Sequence, residues 1–102
     1  MNRKIVLAAC KLNHVEFGEM ILAGHRHWSM DMHQTYDKLK QCGWKVDHSD
    51  GAQGFIDNGG VYYTREEAIQ FAKDTGQPYN SELGNHEKSI DDCDIAFSEG
   101  FW

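Results

Sequence analysis

The sequence predicts an α+β domain of order β-β-α-β-β-α, one antiparallel sheet with two helices packed on it. Three observations lead there. Two apolar stretches at the start are separated by only a short polar break, the arrangement of a hairpin. Asn58-Gly59-Gly60 lies between two further short runs, as a glycine-permitted turn does. Each pair of runs is followed by a segment with helix-start chemistry, led by Ser29 in one case and by Thr64 in the other.

Taken in order, residues 4–12 (KIVLAACKL) are a compact apolar run that reads as a buried strand. Residues 17–27 resume as a second strand. Alternation places Ile21, Ala23, His25 and His27 on one face and Met20, Leu22, Gly24 and Arg26 on the other. Ser29 is the expected N-cap of the first helix, with Asp31 in its first turn. Met32, Tyr36 and Leu39 recur at helical spacing, and Gly43 stands where the helix stops. Residues 44–52 are polar and turn-rich, and residues 53–57 and 61–63 form the second hairpin. Thr64-Arg65-Glu66-Glu67 is a capping box, Ala68, Ile69, Phe71 and Ala72 give the helix its buried face, and Gly76 and Pro78 end it. From residue 80 to 93 the chain reads as a polar loop, and the apolar Ile95-Ala96-Phe97 and Phe101-Trp102 are expected to dock.

A chain of 102 residues has room for one core, so residues 1–102 are read as a single domain with an acidic C-terminal segment, 80–102. Small domains have little stability to spare and gain from association, so a homo-oligomer is expected. The formal charge of −6 is concentrated at the end: residues 81–102 hold six acids against one base. With three arginines and no basic run, duplex nucleic acid is not an expected partner. A small anion held by one or two arginines is compatible with that balance, because local geometry dominates at short range. The three cysteines, far apart and odd in number, show no disulfide framework. The longest apolar stretch is far below membrane-spanning length and too short for a signal peptide, so a cytoplasmic protein without a membrane partner is expected.

Two segments combine residue types that suit a ligand. In Gly24-His25-Arg26-His27-Trp28-Ser29, Arg26 offers a forked match to phosphate oxygens and Trp28 a face for a base, just before a helix start. In Gln53-Gly54-Phe55 the glycine allows close backbone approach beside an aromatic ring, and Gln53 is able to read an amide or hydroxyl. Arg65 follows at the first turn of the second helix. The candidate ligand-binding set is therefore Gly24, His25, Arg26, His27, Trp28, Gln53, Gly54, Phe55 and Arg65, with no catalytic residue, metal ligand or cofactor assigned. Two rival readings stand beside it. His25 and His27 at i, i+2 on a strand have a two-ligand metal spacing, with Asp31, His33, His48 or Asp50 as a third donor, which suits a small metal-dependent hydrolase or nuclease. The acidic C-terminal segment suits a protein-interaction inhibitor. Nucleophilic catalysis lacks support, since Cys10 sits in an apolar strand and Cys93 among acids.

The ordered string Gly24-His25-Arg26-His27, Gln53-Gly54-Phe55, Tyr62-Tyr63-Thr64-Arg65-Glu66-Glu67-Ala68, Gly76-Gln77 and Ser98-Glu99-Gly100-Phe101-Trp102 resembles small phage and prophage proteins, and in particular the Thoeris anti-defence family. That resemblance implies an oligomeric α+β protein in the cytoplasm of an infected bacterium. Such a protein binds a cyclic ADP-ribose-type immune signal and sequesters it without degrading it. On that model Arg26 and Arg65 meet phosphates, Trp28 or Phe55 stacks on adenine, and part of the site is built at subunit contacts. His25 departs from the string, which often has an arginine there.

Overall fold

The computed structural model describes residues 2–102. Its sheet is antiparallel and five-stranded, built on the long strand β1 (Ile5–His14). One edge of β1 pairs along its length with β2 (Gly18–Gly24). The other edge is shared. Residues near its start pair with β4 (Gln53–Asp57), and Leu12 and Asn13 pair with the two-residue β3 (Lys45–Val46). β5 (Tyr62–Thr64) closes the order β2-β1-β4-β5. The α+β architecture expected from the sequence is present. β3 is an addition to it, formed within the stretch read as turns.

The register between β1 and β4 shifts between Ile5 and Leu7. A bulge there explains how Ile5 and Ala8, three apart, both enter the same core cluster under the helices. Opposite them lies Phe55, fully buried, with Ala68 and Ile69 of helix α2 (Arg65–Thr75) packed over it. A second cluster joins Cys10, Leu12 and Leu22 to Met32 of helix α1 (Met30–Gln41). Each helix thus covers one half of the same sheet face, and burial of these apolar surfaces is the main favourable contribution to folding.

Helix α2 has the capping box in full: the Thr64 hydroxyl accepts from the Glu67 N–H, and the Glu67 carboxylate accepts from the Thr64 N–H. Gly76 ends it at φ +76, a left-handed conformation that a glycine adopts without steric cost. Ser29 sits at the N-cap of α1, yet its side chain makes no cap bond and donates instead to the Asp31 carboxylate.

Residues 80–93, read as a loop, contain two short helical turns: α3 (Ser81–Asn85), capped by Asn80, and a 3-10 turn (Ile90–Asp92), capped by Ser89. The last element, α4 (Ser98–Phe101), packs against α3, and Asn80 donates its N–H to the Gly100 carbonyl at 2.7 Å. Tyr79 occupies the space that two glycines leave open. A Cβ on Gly100 would stand 2.3 Å from its ring, and one on Gly84 would meet its hydroxyl. Phe101 and Trp102 approach Phe55 edge-on at 5.2 and 6.2 Å, so the end of the chain completes the first core cluster.

Candidate functional site

Strand β2 ends at Gly24, and residues 25–28 turn away from the sheet. This corrects the expected strand through His27, and with it the i, i+2 face on which His25 and His27 were paired. Two features mark the turn. Met32 crosses so close to Gly24 that a Cβ there would lie 2.4 Å from its Cγ, and Trp28 takes φ +56, a left-handed conformation unusual for a bulky side chain. His25 is exposed. The His27 ring turns inward, donating from Nε2 to the Gly54 carbonyl at 2.7 Å and standing edge-on to Phe55. Burial, and secondarily the Arg65 charge, push its pKa below the ordinary 6.5, so the ring is neutral at pH 7. Among the described residues no group of three or more His, Cys, Asp or Glu side chains is placed to hold a metal ion.

Arg26 does not face open solvent. Its guanidinium donates to the Trp102 carbonyl at 2.6 Å and approaches the Ser98 hydroxyl at 3.4 Å, while the Trp102 indole N–H donates back to the His25 carbonyl at 2.6 Å. The segment read as a phosphate contact is thus a clasp on α4. Three further candidates have structural work as well. Phe55 is wholly buried and presents no face to a ligand. Gly54 is a glycine because Tyr62 and the Tyr63 carbonyl lie over it, and a Cβ would be 1.9 Å from that oxygen. Gly24 is the crossing point for Met32.

The remaining candidates, Trp28, Gln53 and Arg65, come together. Gln53, exposed on β4, accepts from the Arg65 guanidinium at 3.0 Å. Arg65 also donates to the Ala96 carbonyl and lies 4.8 Å from the centre of the Phe97 ring. On one side of Gln53 opens a depression of 740 Å³, lined by Asp47, His48, Asp50, Thr64, Arg65 and Glu66 among others. On the other lies one of 360 Å³, walled by Trp28, His33, Tyr36, Asp37, Lys40 and Val46. Both include Gln53 and His48, so the two are halves of one cleft between α1 and the start of α2.

The halves differ chemically. In the smaller, Trp28 stands at 5.5 Å from Tyr36 with the ring planes 66° apart, with His33 alongside at 5.4 Å and Lys40 above the Tyr36 ring. That is an aromatic wall with a cation at its rim. In the larger, Arg65 is the fixed positive charge, set against the carboxylates of Asp47, Asp50 and Glu66. The N-terminus of α2 adds little attraction for an anion. Its capping box already occupies the Glu67 N–H, and Glu66 and Glu67 offset the helix dipole.

Sequence reasoning missed His33, Tyr36, Lys40 and His48 as cleft residues. Three of them share a helical face of α1, and that spacing was available to find them. His48 reaches the cleft only through the turn between β3 and β4, which sequence pattern does not specify.

A family model for the phage T4 y16D protein matches residues 4–102. The chain belongs to that family. The family match supports the phage origin expected from the ordered string of residues, and it extends over both core clusters and the whole cleft. No curated protein and no solved structure matches the chain. Among the described residues, no helix of this family member is long and apolar enough to cross a membrane.

Proposed function

We propose that this phage protein captures a small nucleotide-like ligand in the cleft around Gln53 and holds it without chemical turnover. The observation that carries the reading is the position of Gln53, bonded to Arg65 on one side and bordering the Trp28 and Tyr36 wall on the other. A flat base fits against the aromatic half, where each stacked base is worth about 1–3 kcal/mol. Arg65 is the partner for a phosphate, and Gln53 lies where the two ligand parts join. The carboxylates of Asp47, Asp50 and Glu66 suit ribose hydroxyls as donors and disfavour a phosphate chain longer and more highly charged than a single diphosphate bridge. A ligand with a base, sugars and few charges, such as the cyclic ADP-ribose-type signal of the Thoeris resemblance, matches this division, and capture of that signal would counter host defence. The buried thiols also favour capture. Desolvation pushes Cys10 up to about 11 and raises Cys93, leaving both protonated and poor nucleophiles.

A thermal-shift and calorimetric screen against cyclic ADP-ribose isomers and cyclic dinucleotides tests the proposal. At ~100 times its dissociation constant a ligand adds roughly 2.7 kcal/mol of stability. For a domain of this size that is a midpoint rise of about 10–20 °C. Gln53→Ala, at an exposed position, should weaken binding about tenfold, the loss of one hydrogen-bonding group at roughly 1.4 kcal/mol, with the fold intact. Binding that is indifferent to Gln53 and to Trp28→Ala, or a ligand recovered chemically altered, refutes the reading.

A further inference from the structure

We infer that strand β2 is a self-pairing edge, and that two copies of this chain join there into one continuous sheet about a two-fold axis. The sheet has two unequal ends. At one, β5 is three residues long and runs directly into α2, too short to template another strand. At the other, the outer edge of β2 is seven residues long, and among the described residues nothing pairs with it. It carries none of the usual protections against strand addition: no proline, no lysine and no bulge, and Glu19 is its single charge.

The occupant is argued from self-complementarity. An antiparallel pairing centred on Ile21 sets Ile21 against its own copy, Met20 against Leu22 of the second copy, Glu19 against Ala23 and Gly18 against Gly24. No like charges oppose one another, and the apolar residues meet in pairs. The same two-fold axis brings the hairpin tip of one copy, where Val15 is 98% and Phe17 72% exposed, toward the start of α1 in the other, where Met30 is 77% exposed. These are the three most exposed of the large apolar side chains described, and the pairing uses them at both ends.

Helix α1 supplies charge complementarity. Its flank lined by His33, Tyr36, Asp37 and Lys40 faces the cleft, on the β4 side. Helical spacing therefore puts Asp31, Thr35 and Lys38 on the opposite flank, above the free edge of β2, and all three are exposed. In the two-fold pair the two α1 helices run antiparallel along the joint, so Asp31 near one N-terminus meets Lys38 near the other C-terminus, twice. Because the cleft lies on the far flank of α1, this interface leaves it open and does not depend on what the cleft binds.

Sedimentation equilibrium of the full chain at tens of micromolar should give twice the 11.7 kDa chain mass. Ile21→Lys, at a position 36% exposed and so tolerated by the single chain, places two positive charges on the axis. Lys38→Glu sets two acids together at each end. Each should raise the dissociation constant at least ~10-fold with an unchanged circular dichroism spectrum, and Asp31→Lys combined with Lys38→Glu should return it to within ~3-fold of the native value. A native chain of single mass, an open-ended series of larger species, a dimer indifferent to Ile21→Lys, or a double variant no tighter than Lys38→Glu alone overturns the inference.

Discussion

Replacing Arg26 by methionine distinguishes a clasp from a ligand contact. In the structure its guanidinium donates at 2.6 Å to the Trp102 carbonyl and at the longer 3.4 Å to the Ser98 hydroxyl. A hydrogen bond from a charged donor is worth about 1.5–3 kcal/mol, and the 3.4 Å contact adds little. Arg26 is half-buried, and water can reach the Trp102 carbonyl once the side chain is gone, so the low end of that range applies. Methionine keeps most of the aliphatic packing, which leaves an expected loss of about 1–2 kcal/mol. In a domain of this size that lowers the thermal midpoint by roughly 5–15 °C. The loss should be local at first. Amide exchange should rise in residues 97–102, while the Trp102 indole bond to His25 and the packing of Phe101 on Phe55 delay full release of α4. Differential scanning calorimetry and hydrogen exchange read the two effects. A midpoint within about 2 °C of the native value would refute the clasp. So would unaltered exchange at the chain end, or a loss of ligand affinity in Arg26→Met as large as that of Gln53→Ala.

Two further perturbations follow from buried groups. Burial pushes the Asp57 carboxyl up, but the Val61 N–H, the Tyr63 hydroxyl, the Gly59 N–H and the Arg3 charge outweigh it and hold its pKa below the ordinary 3.8. Because the folded value is the lower one, its stabilisation is present in full above the unfolded pKa and fades as pH falls from there through the folded value. Asp57→Asn should therefore cost about 1–3 kcal/mol between pH 5 and 8, with the gap to the native protein narrowing below pH ~4 in urea titrations; a gap that widens with acid contradicts the assignment. Of the three free cysteines, Cys10 and Cys93 are buried with raised pKa, and Cys42 is exposed. Iodoacetamide at pH 8 should add one label to the folded chain, at Cys42, and three in denaturant; early labelling of Cys10 would mean that β1 is open to solvent.

What the sequence by itself determined is what short-range chemistry encodes. The Thr64–Glu67 box, the Gly76 terminator, the turn around Asn58-Gly59-Gly60 and the buried faces of both helices depend on residues within a few positions of one another, and each forms as its local pattern requires. The α+β class follows, because hairpins and amphipathic helices of this length have few ways to cover one another. Residue types also marked Trp28, Gln53 and Arg65, which line the cleft. The tertiary structure decided which functional-looking groups are free. Arg26 and Arg65 look alike in sequence, and both donate to distant carbonyls, Arg26 to Trp102 and Arg65 to Ala96, yet of the two only Arg65 also lines the cleft. Gly54 and Gly24 suggested room for a ligand, but Tyr62 and Met32 occupy that room. His27 looked like half of a metal pair until the left-handed turn at Trp28 carried its segment off the sheet and sent its ring into the core. Contacts between distant positions leave no periodic trace along the chain, and packing alone selects which polar side chain is used up inside and which remains at the surface to bind.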